Sequence, residues 1–230
     1  MKLSVVMAVY NERPTIADII GQVLAAPVDM PIEIIAVDDH STDGTREILA
    51  TLASQEERLR VVLQDRRQGK GAAIRKAFEC VTGDVVIIQD ADLEYDPSDY
   101  PSLLRPILEG RADVVLGNRF HGGAHRVLYY FHYVGNRWLT TLCNIASGLN
   151  LNDMEAGYKV FRSSVLKQLR LRACGFDIEP ELVIKTARLG VRIYEVPITY
   201  HGRTYAEGKK VSWRDGLKAL WRIVVARFFE

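Results

Sequence analysis

Short apolar, β-branched runs recur through the first half of the chain, at residues 3–9, 32–37, 60–63, 85–88 and 114–117. Each gives way to a polar or glycine-bearing cluster, and most are followed by a stretch with helical spacing. Helices are expected from about residue 11 to 24, from the polar turn at 38–44 to residue 52, and over 72–80. Single helices between strands imply a largely parallel sheet with helices on both faces. Ligands of such sheets sit beyond the carboxyl ends of the strands. That is where Tyr10-Asn11-Glu12, Asp38-Asp39, Gln68-Gly69-Lys70 and Asp90-Ala91-Asp92 fall.

The fourth run is the most informative about chemistry. Val85-Val86-Ile87-Ile88 discharges into Asp90 and Asp92, with Glu94 two residues further on and Pro97 in the loop behind. Ending a buried strand in anionic oxygens is costly unless a cation sits there. Hard divalent ions such as Mg2+ or Mn2+ take oxygen ligands and are commonly shared with substrate phosphates. The expectation is a metal site at Asp90, Asp92 and Glu94 in an enzyme acting on a nucleotide diphosphate.

Other clusters leave two readings open. Asp38-Asp39 either caps the next helix, with Ser41, Thr42 or Asp43 as further cap candidates, or accepts from a base or ribose. Gly69-Lys70-Gly71 lacks the spacing and the Ser/Thr of a Walker loop, yet suits phosphate at a helix start.

Composition narrows the class. A net charge of +1 on 230 residues with 26% charged side chains sets up no field that calls for nucleic acid. Cys80, Cys143 and Cys174 are widely spaced and read as reduced thiols in a cytosolic setting. The first strand begins at residue 3, leaving no room for a cleavable signal, and no apolar stretch approaches the ~20 residues of a spanning helix.

The second half changes character. Between residues 126 and 149, Val127, Phe131, Val134, Trp138, Leu142, Ile145 and Leu149 recur at helical spacing, widened by Leu128, Tyr129, Tyr130 and Tyr133. At the C-terminus Trp213, Leu217, Leu220, Trp221, Val224, Val225 and Phe228 lie on one side, near Arg214, Lys218, Arg222 and Arg227. Such faces suit a membrane interface or a partner; packing on the sheet is the alternative.

The motifs in order closely resemble the family 2 inverting glycosyltransferases of GT-A fold. They are Val5-Val6-Met7-Ala8-Val9-Tyr10-Asn11-Glu12, Val37-Asp38-Asp39-His40-Ser41-Thr42-Asp43-Gly44-Thr45, Gly69-Lys70-Gly71-Ala72-Ala73 and Asp90-Ala91-Asp92-Leu93-Glu94. Gly117-Asn118-Arg119-Phe120, Gly157-Tyr158-Lys159-Val160-Phe161 and Tyr200-His201-Gly202-Arg203 through Lys209-Lys210 resemble the dolichyl- or polyprenyl-phosphate mannosyl and glucosyl members. Ala8 stands where proline is usual and Asn118 where serine is common. The transmembrane helices that follow in many bacterial relatives are missing.

The resemblance implies transfer of a hexose from GDP-mannose or UDP-glucose to dolichyl or polyprenyl phosphate, with Mg2+ or Mn2+. It implies a GT-A catalytic domain over 1–210, split into a nucleotide-sugar half (1–117) and an acceptor half (118–210), and a docking helix over 211–230. Tyr10, Glu12, Asp39, Lys70, Asp90 and Lys210 fall in the nucleotide-sugar part. Asp92, Arg119 and Arg203 are the catalytic candidates, and Arg119, Arg126 and Arg137 the candidates for the acceptor phosphate. An anionic acceptor held against an anionic donor calls for such guanidinium groups. Arg203 and Lys210 are expected on a loop that closes over the diphosphate. The implied location is peripheral, at the cytoplasmic face of a membrane, with a membrane-anchoring subunit as a further partner.

Three rivals differ in observable ways. A transferase with a hydroxyl acceptor needs a general-base carboxylate, for which Asp153, Glu155 and Asp177 are the candidates. A nucleotide-sugar pyrophosphorylase would open with a glycine-rich triphosphate loop, which this sequence lacks. A non-catalytic binding module would have no use for acceptor arginines beside the acids.

Overall fold

The computed structural model describes residues 1–120, 126–127, 129–204, 207–208, 210 and 213–229. Leu128, Lys209 and the side chain of Trp213 lie outside the described residues. Every residue of strand β4 (Val85–Ile88) is buried, and β1 (Leu3–Val9) is buried at all but one position. Burial on both faces is what a continuous apolar run encodes in a parallel sheet. Alternation divides β1 between two cores. Leu3, Val5, Met7 and Val9 pack with Ile19 and Ile20 of α1 (Ile16–Leu24), Leu49 of α2 (Thr45–Gln55) and Leu103 of α4 (Tyr100–Leu108). Val6 faces Ile74 of α3 (Lys70–Phe78), Cys143 of α5 (Tyr130–Ser147), Leu182 of α7 (Ile178–Arg188) and Ile223 of α8 (Trp213–Phe228).

The sheet has seven strands. β2 (Ile32–Asp38), β3 (Leu59–Leu63) and β5 (Val114–Asn118) fall within a residue of expectation. Added to them are β6 (Lys159–Arg162) and β7 (Ile193–Pro197). The order is β3-β2-β1-β4-β6-β5-β7. β6 runs antiparallel between β4 and β5, whereas β7 pairs parallel with β5. The mostly parallel sheet between helical layers is the expected α/β architecture. Residues on both sides of position 117 contribute to that single sheet.

Local departures have physical causes. Helix α2 is entered through Gly44 in the left-handed region (φ 96°), so the backbone cap is a glycine. Asp43 supports it by accepting from Thr45 N–H at 3.1 Å. Helix α3 starts at Lys70, two residues earlier than expected, which puts that lysine in the first turn. Its two glycines are needed for packing, because a Cβ at Gly71 would come within 2.6 Å of the Ala173 carbonyl oxygen and one at Gly69 would collide with that of Cys174. α6 (Ser163–Leu166) is a single turn closing β6.

Candidate active site

A cleft of about 1820 Å³ opens over the carboxyl ends of β1, β2 and β4 and runs out between α5 and α8. Its floor begins at the end of β4. There Gln89 Oε1 accepts from the hydroxyls of Tyr100 and Tyr158, both at 2.8 Å, which anchors the acid loop that follows. Asp90 Oδ1 meets Lys70 Nζ at 2.7 Å. Its Oδ2 lies where a Cβ on residue 157 would come within 2.5 Å, so Gly157 is the residue the carboxylate can lie against.

Three further acids are bound by one arginine. Arg203 Nη2 reaches Asp92 Oδ2 at 2.5 Å, its Nε donates to Glu94 Oε1 at 3.1 Å, and its Nη1 lies 3.5 Å from Glu12. Glu94 also accepts from Arg203 N–H and from the Tyr200 hydroxyl. A bridge between Tyr95 and Tyr200 ties this segment to the acid loop. Lys210 Nζ donates to Glu12 and to the carbonyls of Tyr10 and Asn11. Arg203 and Lys210, expected to close over a diphosphate, thus rest on the carboxylates themselves. Burial, followed by the charges of Asp90 and Glu94, pushes the Asp92 carboxyl up to about 7 despite Arg203.

Lys70 links this cluster to a buried ladder of charge. It contacts Glu179 Oε1 at 3.0 Å, and Glu179 in turn binds Lys159. Burial opposes the charge on Lys70, but Asp90 and Glu179 outweigh it and raise its pKa. Lys159 is 1% exposed and also donates to the carbonyls of Met154 and Ala156.

On the nucleotide side, Tyr10 lies under the Arg67 guanidinium, 4.1 Å from ring centroid to Cζ. Asp39 accepts from the N–H groups of Gln68 and Gly69 at 2.6 and 2.7 Å, holding the turn before α3. Asp38 is fully buried against Arg46 at 2.5 Å and accepts from Ser41 N–H, so of the adjacent acids only Asp39 borders the cleft.

The basic acceptor candidates separate. Arg119 lines the cleft and makes a two-pronged pair with buried Asp153 at 2.7 and 2.8 Å, leaving further guanidinium N–H groups. Arg126 precedes α5 instead of lying on it; it pairs with Glu207 at 2.8 Å and donates to the Gly202 carbonyl at the rim. Arg137 is not among the cleft-lining residues and donates to the Asn152 carbonyl.

The amphipathic stripes resolve differently. On α5 the buried positions are Asn136, Thr140, Cys143 and Ala146, while Phe131, Trp138 and Ile145 are 84%, 54% and 75% exposed. Leu142 and Leu149, expected on the same stripe, pack against the second core. On α8 Leu217, Trp221 and Phe228 face outward, and Ala219, Ile223 and Ala226 are buried. Helices α5 and α8 pack on each other, which brings the two exposed faces together. Among the described residues no helix is long and apolar enough to cross a membrane.

The glycosyl transferase family 2 model matches residues 4–170. The chain belongs to that family. It is 31% identical to the undecaprenyl-phosphate mannosyltransferase of Micrococcus luteus over 99% of both chains. It is 36% identical to the low-salt glycan biosynthesis hexosyltransferase Agl6 of Haloferax volcanii over 96% of this chain but only 52% of that protein. Among solved structures, glucosyl-3-phosphoglycerate synthase from Mycobacterium tuberculosis, in complex with Mn2+, UDP and phosphoglyceric acid, matches with TM-score 0.76. Identity is 23%, over 100% of this chain and 79% of that one, so the likeness is one of fold, the GT-A sheet.

A divalent ion in this family 2 site would meet hard oxygen donors, and Asp92 lies in negative potential that Arg203 does not cancel. Asp90 and Asp92 offer the carboxylate oxygens that Mg2+ or Mn2+ takes. The expected third ligand has more protein partners than the other two. Glu94 is taken up by Tyr200 and Arg203, and among the described residues no three His, Cys, Asp or Glu groups converge as a metal cage.

Glu179 and Tyr200 escaped the sequence reading as site residues. Glu179 is an ordinary acid in the first turn of a helix, and its burial at 3% exposure has no local signal.

Proposed function

We propose that this family 2 chain transfers a hexose from GDP-mannose or UDP-glucose to dolichyl or polyprenyl phosphate at a membrane surface. One observation carries the reading: the same cleft is lined by Asp90 and Asp92, by Arg119, and by the exposed apolar residues Phe131, Trp138 and Leu217. A water-soluble donor and a lipid acceptor need that continuity between acids, fixed cation and apolar surface.

In this reading Tyr10, Glu12, Asp39 and Lys70 hold the nucleotide part. Mg2+ or Mn2+ on Asp90 and Asp92, when bound, neutralises charge on the diphosphate leaving group. Arg203 and Lys210 exchange their carboxylate partners for diphosphate oxygens as donor enters. Arg119, oriented by Asp153, and Arg126 take the acceptor phosphate, which is already ionised and needs no strong base. Arg137 and the α5–α8 face meet lipid at the cytoplasmic side, which makes 211–230 a docking element on a catalytic domain of 1–210. A membrane-anchoring subunit would meet the same face.

A second reading has one observation in its favour. A hydroxyl acceptor requires a base, and Asp153 is bound by Arg119 while Asp177 pairs with Arg222 at 3.1 Å. Glu155 has a buried oxygen without a partner, and burial together with Glu179 pushes its carboxyl up to about 7.

The test is transfer by purified protein with Mg2+ or Mn2+, short-chain polyprenyl phosphate, and GDP-mannose, UDP-glucose or UDP-GlcNAc. A lipid-phosphate sugar from one donor, absent with Asp92→Asn, supports the first reading. Donor binding without lipid product from any donor sinks it in favour of a hydroxyl acceptor.

A further inference from the structure

Six buried side-chain nitrogen or oxygen atoms among the described residues have no hydrogen-bond partner. Two belong to residues that line the cleft, Oδ1 of Asn136 and Oε1 of Glu155. An unpaired buried acceptor is costly, and its presence at a binding cleft calls for an explanation.

The orientation of Asn136 follows from its neighbour. Its Nδ2 donates to Asp153 Oδ1 at 3.1 Å, and turning the amide over would set oxygen against that carboxylate. Asn136, 9% exposed, therefore presents an acceptor. The ammonium four residues on from Glu155 is already engaged. The ammonium of Lys159 has three protons, and Met154 O, Ala156 O and Glu179 take them. Arg119 directs Nε and Nη2 at Asp153.

The Asn136 oxygen, and Glu155 whenever it is ionised, are thus open to a ligand that donates. Diphosphate and acceptor phosphate present acceptor oxygens and negative charge, so neither suits the Asn136 oxygen or an ionised Glu155. Carbohydrate hydroxyls do. The location agrees: Glu155 follows Asp153, the anchor of Arg119, and precedes Lys159, which leads through Glu179 and Lys70 to Asp90. A group between the proposed acceptor cation and the proposed diphosphate acids is the one being transferred.

We infer that Asn136 and Glu155 form a hydroxyl-recognising subsite for the hexose of the donor. The inference rests on reading the cleft as a nucleotide-sugar site, and its test separates the two. Calorimetry with the full chain and Mg2+ would compare GDP with GDP-mannose and UDP with UDP-glucose, for the parent, Glu155→Leu, Glu155→Gln and Asn136→Ala. The expected result is a parent that binds one nucleotide sugar more tightly than its nucleoside diphosphate. Glu155→Leu and Asn136→Ala should reduce that margin about tenfold, the worth of a hydrogen bond to a ligand hydroxyl, with nucleoside diphosphate affinity kept. Glu155→Gln, which retains an acceptor, should keep most of it. Thermal melting of Glu155→Leu should be unchanged or higher, since an unpaired acid is removed; a structural role would lower it.

An unchanged margin in both truncations overturns the subsite and leaves the functional reading intact. Equal loss of nucleoside diphosphate and nucleotide sugar overturns it as well. Retained donor affinity with lost turnover in Glu155→Gln would make Glu155 the base for a hydroxyl acceptor and likewise overturn the subsite. A parent that binds nucleoside diphosphates and sugars not at all overturns both readings.

Discussion

The two ends of the parallel sheet treat the same side chain in opposite ways. At the amino end, Glu33 accepts from Lys2 Nζ, Ser4 Oγ, both donors of Thr82 and the Gly83 N–H. Burial works against its charge, and the hydrogen bonds from Lys2, Ser4 and Thr82 outweigh that, bringing it down to about 2. At the carboxyl end Asp92 and Glu155 are both pushed up to about 7, with burial as the first cause and other carboxylates as the next. The difference lies in donors: one end supplies them, and the other leaves acids facing acids across a cleft. A carboxylate at the first end stabilises the fold; at the second it costs stability and suits the site to cations and hydroxyls.

The largest effect should come from Asp92→Asn. If the carboxyl end is built for binding, this change lowers kcat/KM for sugar transfer by ~10³-fold, the scale of losing a charge-stabilising group. Its urea midpoint should stay level or rise. A falling midpoint with retained activity would break the comparison.

Glu33→Gln probes the other end. Its carboxyl lies below the ordinary value of 4.5, so its contribution is full above that pH and is lost as pH falls toward 2. The variant should be less stable by about 3 kcal/mol at pH 7 and should converge with the parent near pH 2. Urea titrations at both pH values check this.

Glu155 should show the reverse slope. Its folded value is raised, so the native state holds a proton that the unfolded chain has lost, and stability falls as pH rises from 4.5 through 7. Glu155→Leu should flatten that decline, by less than the Glu33 effect because the side chain is only partly buried. Melting curves at half-unit pH steps would read it.

The smallest stability effect is expected on the outer helices. Phe131→Ser with Trp221→Ser should change unfolding free energy by no more than about 0.5 kcal/mol each, as both side chains are exposed. Sedimentation with anionic vesicles should nonetheless fall at least ~10-fold, from the apolar area no longer buried in lipid. Unaltered vesicle binding would remove the docking role from α5 and α8.

Legibility followed locality. β1 and β4 were readable to the residue because runs buried on both faces are apolar almost throughout, Ser4 being the one polar side chain. β6 was not, since two of its four residues are Lys159 and Arg162, and a buried lysine makes sense only beside Glu179 and two carbonyls brought from elsewhere. The acids at the end of β4 were readable for the same reason as the strand before them. Their partners were not: Arg203 lies 111 positions from Asp92 and Lys210 lies 198 from Glu12. Exposure of the aromatic helices was half legible, because periodicity marks a face without saying whether protein covers it.

By itself, then, the sequence determined the α/β class, the strand ends at which chemistry collects, and the order of motifs that marks family 2. Those depend on neighbours in the chain, where spacing translates directly into burial. The tertiary structure alone decided which charges meet. It placed Arg203 on three acids, joined Lys70 to a buried ladder, left Asn136 and Glu155 each with an unpaired acceptor, and turned the aromatic faces of α5 and α8 outward. Electrostatic partnership depends on distance and local dielectric, and neither is a property of position along the chain.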